Sequence, residues 1–187
     1  MNVQQLWVGQ AWDGRALESP AAELRLWVDA GHLLVSSSAP RRGDPPPPSL
    51  GAPPGRYPEL WRYEVVECFL LGDTGQYLEL EWNPHGHWLA IRLEGVRKVL
   101  SDDLSLDTRI HAESQRWEAV TRIHADHLPP GLSRVNAFAI HGLGSQRRYC
   151  AHVGAPGDRP DFHRLEHFVK LDAVLLEALG PCGRSWR

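Results

Sequence analysis

The chain has 187 residues, with 20 Lys and Arg against 23 Asp and Glu, a net charge of −3 and no long run of either sign. That balance excludes the clustered basic surface a nucleic-acid groove needs. No apolar run approaches the ~20 residues that span a bilayer. The length and an ordinary 42% hydrophobic content suit one domain with a sizeable core. Cys68, Cys150 and Cys182 are odd in number, widely spaced and without a Cys-x-x-Cys, so neither a disulfide framework nor a zinc ribbon is expected. The N-terminal residues lack a charged segment followed by an apolar core, which makes a cytoplasmic protein the expectation. Eight tryptophans are many for this length, and a β-rich fold would use most of them in packing.

Trp7 and Trp12-Asp13-Gly14 form two aromatic clusters, the second ending in a turn signal. Residues 23–28 alternate, with Leu24, Leu26 and Val28 on one face. Asp29-Ala30-Gly31-His32 reads as a turn, and residues 33–38 return as the second strand of a hairpin. Residues 41–58 carry Asp44-Pro45-Pro46-Pro47-Pro48 and Ala52-Pro53-Pro54-Gly55, an extended excursion that neither sheet nor helix can include. Its plain role is a long connection that forms one rim of a pocket; its other role is to dock a proline-binding module. Residues 61–93 then give three strand-like runs separated by Gly72-Asp73-Thr74-Gly75 and Asn83-Pro84-His85-Gly86, an antiparallel meander. Further strands are predicted over 108–112, 117–123, 134–141 and 149–153, eight or nine in all. The whole reads as a mainly β fold, an antiparallel β-sandwich over 1–170, followed by a short C-terminal helix near 171–180 and a tail to 187.

Centring the second hairpin on His85-Gly86 pairs Asn83 with Trp88, Glu81 with Ala90 and Glu79 with Arg92. Leu78, Leu80 and Trp82 then oppose Leu89, Ile91 and Leu93 on a wholly apolar face. A one-residue slip would bury Arg92 among leucines. The plain reading of the polar face is a solvated surface with one cross-strand ion pair. The sharper reading is a ligand-binding face, where charged hydrogen-bonding groups sit beside flat rings.

Glu67 depends on the first hairpin. One register places it on the core side in need of an arginine; the register shifted by one joins it to Glu79 and Glu81, and three carboxylates on one face would invite a cation or a basic ligand. Glu79 and Glu81 lie near the spacing of a glycosidase pair, but an Arg92 opposite Glu79 would lower the pKa that a general acid needs raised. The His85/His87 and His163/His167 pairs lack an evident third ligand, so no metal site and no cofactor are expected. His141 and His163 remain candidates for the cleft. No phosphate-binding loop or nucleophile elbow is present.

Several segments carry a resemblance: Leu60-Trp61-x-Tyr63-Glu64-Val65-Val66-Glu67-Cys68-Phe69-Leu70, Gln76-Tyr77-Leu78-Glu79, Asn83-Pro84-His85-Gly86, the loop from Asp44, residues 136–142 and residues 159–168. With these, roughly Trp12 to Leu171 resembles a family of small uncharacterised intracellular proteins. That family is similar in turn to the family-9 carbohydrate-binding modules and DOMON-like β-sandwiches. The resemblance implies a jelly-roll-like sandwich in which a sugar lies between aromatic rings and charged side chains bond its hydroxyls. The positions best placed for such roles are Trp61, Glu67, Glu79, Glu81, Trp88 and Arg92, to which His141 and His163 are added. The expected function is non-catalytic binding of a small polar ligand, a saccharide being the leading class. The alternatives are a protein–protein module using the Pro-rich loop or a tryptophan face, and a glutamate- or metal-dependent hydrolase.

Overall fold

The computed structural model describes residues 2–47 and 54–186. Its strands are β1 (Val3–Val8), β2 (Gln10–Ala11), β3 (Ala22–Asp29), β4 (His32–Pro40), β5 (Gly55–Arg56), β6 (Val65–Gly72), β7 (Gln76–Trp82), β8 (His87–Glu94), β9 (Val99–Ser101), β10 (Asp107–Ala112), β11 (Arg116–His124), β12 (Leu132–His141), β13 (Arg148–Ala151) and β14 (Val169–Lys170), followed by the helix α1 (Ala173–Leu179). One sheet has the order β1-β3-β4-β11-β10 and the other β2-β13-β12-β6-β7-β8-β5, with β14 on β12 and β9 on β8. All pairings are antiparallel except β5 with β8.

The two sheets pack face to face. Leu24, Leu26 and Val35 from one meet Cys68, Leu70, Leu80, Trp82 and Ala137 from the other in a continuous buried cluster. Trp82 Nε1 donates to Thr121 Oγ1 at 2.7 Å, so an indole that would otherwise bury an unpaired donor ties the sheets together. The β3–β4 hairpin turns through Ala30 (φ 45°) and Gly31 (φ 74°), the doubly left-handed turn whose twist matches the strands. Asp172 caps α1 by accepting from Val174 N at 2.8 Å, and Leu175 and Leu179 sink into the inter-sheet cluster. β1 lies where the sequence shows only an aromatic cluster around Trp7.

The meander forms, but its second register differs from the expected one. The turn is longer than two residues: Asn83 N donates to His87 O, and Asn83 Oδ1 accepts from the amides of His85 and His87, all at 3.0 Å. Gly86 closes it at φ +87°. Trp82 therefore pairs with Trp88, Glu81 with Leu89, Glu79 with Ile91 and Leu78 with Arg92. Arg92 and Trp88 lie on the inter-sheet side, and Glu79 and Glu81 share the opposite face with Leu89, Ile91 and Leu93. The physical reason is that this sheet has no wet face. A second buried cluster, with Phe69, Tyr77, Ile91, Leu93, Phe138 and Ile140, lies on its outer side under Leu60, Phe162, Leu165 and Phe168. Apolar residues occupy both faces, so a preference for one apolar face cannot select the register.

Of the Pro-rich excursion, Pro48–Pro53 lies outside the described residues. Before it, Asp44 Oδ2 accepts from Gly142 N at 2.6 Å, and its carbonyl accepts from His85 Nε2 at 3.1 Å. After it, β5 adds a parallel strand to the edge of β8.

Candidate functional site

The first hairpin adopts the register that unites the glutamates. Glu67 pairs with Glu81 and Phe69 with Glu79, so all three carboxyls project to the outer face of the larger sheet. They are 1%, 5% and 0% exposed for Glu67, Glu79 and Glu81. Above Glu67 and Glu79 lies a cavity of about 290 Å³. Its walls are Phe69, Ile91, Leu93 and Ile140 from the strands, Trp61 from the turn before β6, Tyr149 from β13, and the segment Pro160–His163. Trp61 stands at the mouth, 40% exposed.

Burial holds all three carboxyls in the protonated form beyond the usual carboxylate range. Desolvation raises Glu79 to about 7, with Glu81 and Arg97 pulling the other way. Desolvation and then the charge of Glu79 push Glu67 well up, against Arg147. Glu81 is pushed well up by desolvation and by both neighbouring glutamates. Glu79 and the backbone of Trp61 approach Glu81 closely enough to act on its proton, but neither Glu81 oxygen has a partner in formed hydrogen-bond geometry among the described residues. The sheet thus presents carboxyl groups that keep their protons to higher pH than exposed ones do.

A polar network borders them. Tyr77 Oη accepts from Arg97 N at 3.0 Å and lies 2.7 Å from His163 Nδ1. Burial and then Arg97 depress His163 to about 4, so the ring is neutral. Arg97 Nη2 donates to Asp161 Oδ1 at 2.7 Å, and Asp161 Oδ1 also accepts from His163 N. Arg97 holds a left-handed φ of 60°, an unusual conformation for a side chain-bearing residue that the tie to Tyr77 maintains. Arg147 donates to the carbonyls of Trp61 (2.8 Å) and Gly142 (3.4 Å) and lies over the ring of Tyr149.

Of the residues singled out from sequence, Trp61, Glu67, Glu79 and His163 line this cavity and Glu81 adjoins them. Three do not reach it. Arg92 lies beneath the inter-sheet end, 3.1 Å from His127 Nδ1 and over the ring of Trp186, so no Glu79–Arg92 ion pair forms. Trp88 packs against the inter-sheet cluster because the register turns it there. His141 alternates with Ile140 onto the inner side, near Cys150 Sγ and a small recess with Arg42 and Glu64. His163 and His167 are not aligned by a helix, since only a short 3-10 turn (Leu165–His167) is present. No group of three metal-ligating side chains is found among the described residues. The cationic part expected of Arg92 falls to Arg97 and Arg147. Neither shows a local pattern in the sequence; the segment 159–168, however, is marked by its family resemblance.

A two-sheet antiparallel β-sandwich with a half-open, mostly apolar-walled pocket over buried carboxyls, on the outer side of one sheet, defines the class of this protein. The same fold occurs in the crystal structure of a "putative carbohydrate-binding protein" from Bacteroides uniformis, with a TM-score of 0.66 over 91% of this chain and 85% of that one, at 16% identity. At that identity the likeness is one of fold alone. No protein-family model matches the chain. It is 40% identical to the mouse UPF0462 protein C4orf33 homolog (94% of this chain, 92% of the relative) and 39% identical to human UPF0462 protein C4orf33 (96% and 91%). The zebrafish homolog is 35% identical (87% and 85%). The chain belongs to the UPF0462 family.

Proposed function

We propose that this protein binds a small polar ligand, a saccharide unit being the leading class, in the cavity beneath Trp61. The observation that carries the reading is a pair of buried carboxyls, Glu67 and Glu79, facing a space of about 290 Å³ that the half-exposed indole of Trp61 also lines. Flat rings stack on sugar faces, and carboxyls bond hydroxyls as donor or acceptor. The volume lies at the small end of ligand pockets, suited to one ring rather than a chain. The description of the Bacteroides uniformis protein agrees with this reading, as does kinship with family-9 carbohydrate-binding modules, which belongs to the same proposal.

The hydrolase alternative gains one observation, because Arg92 does not lower Glu79 and its carboxyl titrates near 7. Acid–base catalysis, however, needs two groups whose pKa values are pushed apart, and Glu67 and Glu81 move in the same direction as Glu79. Binding without turnover is therefore proposed. No helix among the described residues is long and apolar enough to cross a membrane. The free thiols of Cys68, Cys150 and Cys182 fit a reducing compartment, and a cytoplasmic setting is part of the proposal.

The test is a thermal-shift screen of the full chain against neutral, amino and acidic monosaccharides. A binder gains stability by mass action, so a saturable upward shift is expected. Trp61→Ala should abolish the shift while leaving the unliganded Tm nearly unchanged, because Trp61 is 40% exposed. A panel with no shift for any sugar defeats the saccharide reading.

A further inference from the structure

We propose that the ligand is a small hydroxylated amine, an amino sugar in the simplest case, whose ammonium group is held by Glu67 and Glu79. This rests on the binding reading above and names its ligand class.

The cavity has carboxyls in excess: Glu67, Glu79 and Asp161 line it against one lining cation, Arg97. Glu67 and Glu79 line it, almost wholly buried, and the group acting on Glu79 across the strand is another carboxyl, Glu81. Glu81 stands directly across the ladder from Glu67, where side chains of paired strands lie about 5 Å apart at Cβ. The arginines nearby are engaged elsewhere: Arg97 with Asp161, Arg147 with two backbone carbonyls. His163 is held neutral by burial and by Arg97, so it adds no positive charge to the cavity. No lysine lines the cavity.

A buried cluster of this kind has two ways to avoid mutual repulsion: it keeps protons, or it takes up a cation. In the unliganded protein it keeps protons. An ammonium group offers three donors in a compact charge, which suits acceptors on neighbouring strands. Trp61, 40% exposed, lines the cavity and would add cation–π attraction and a stacking surface for the carbon skeleton. A metal ion is the weaker occupant, since no three ligand side chains converge among the described residues. A neutral sugar would use the same hydroxyl contacts but leave the carboxyl repulsion uncompensated once a proton is lost.

Titration calorimetry of the full chain at pH 7 with D-glucosamine, D-glucose and calcium chloride tests this. Glucosamine is expected to bind at least about tenfold more tightly than glucose, the yield of one charge-assisted contact. Its binding should release protons, read with an indicator dye in weakly buffered solution. Glu67→Gln and Glu79→Gln, each nearly isosteric, should each reduce glucosamine affinity by about tenfold and remove the proton release; two variants guard against one failing to fold. Glucose binding as tightly as glucosamine overturns the amine inference and leaves the binding reading intact. Calcium binding at the site in place of the amine also overturns it. Failure of glucosamine to bind the folded wild-type chain overturns the inference, while the binding reading stands or falls on the wider saccharide panel.

Discussion

Glu67, Glu79 and Glu81 carry a cost that depends on pH. A carboxyl whose folded pKa lies above its unfolded value binds more protons in the folded state, so stability falls as pH rises between the two values. For Glu79 the window runs from about 4.5, its ordinary value, to about 7, and a shift of that size corresponds to roughly 3 kcal/mol. Glu67 and Glu81 shift in the same direction and add to the decline. His163 acts oppositely below 6.5: its depressed folded pKa makes stability rise from about 4 upward. Above pH 6.5 the carboxyls decide the sign, and urea unfolding should show the protein losing stability from pH 6.5 to 8. Glu79→Gln should flatten that slope, because an amide has no proton to lose. A wild type that gains stability across this interval contradicts the buried, protonated cluster. Tyr77 is the second informative residue. Tyr77→Phe strands the Arg97 amide and His163 Nδ1 together, and should cost about 1–3 kcal/mol in unfolding free energy.

The turn Asn83–Gly86 decides which face the glutamates occupy. Asn83 satisfies two amides with one oxygen, and Gly86 adopts a conformation that side chains avoid. A Cβ at Gly86 would meet Pro54 Cβ at 2.9 Å, so strain and collision act together. Gly86→Ala is expected to destabilise by about 1–3 kcal/mol and Asn83→Ala by a similar amount, measured by chemical denaturation. These changes lie outside the cavity, so any loss of ligand binding in a folded variant would report a changed register. The β6–β7 connection works differently. Its short loop permits either of two registers by pattern, and the observed one leaves Leu78 and Leu80 inward with Cys68 and Leu70.

Across the whole molecule, the larger sheet is sandwiched twice: by the five-stranded sheet on one side, and by its own connecting segments on the other. The Trp82–Thr121 bond joins the two sheets, and Thr121→Val, which keeps the volume and removes the acceptor, should cost about 1–3 kcal/mol in unfolding free energy. The outer layer is held by ring packing instead, with Phe138 and Phe162 stacked at 4.2 Å between centroids. Phe162→Ala should destabilise this layer first, seen as faster amide exchange in residues 155–168 than in β3 and β4. The cavity lies between these two regimes, with its floor on the rigid sheet and its mouth on the outer layer.

What the sequence by itself determined is the fold class, the β3–β4 hairpin, the meander and the short C-terminal helix, since alternation, turn residues and helix stop signals act over a few neighbouring positions. It also marked Trp61, the three glutamates and His163. The tertiary structure alone decided the hairpin register, the removal of Arg92, Trp88 and His141 to the inner side, and the entry of Arg97, Tyr149 and Asp161 into the site. Alternation selects a register only when one face of a sheet meets water. Here segments about 70 residues further along the chain cover the outer face, and no local pattern records that they do.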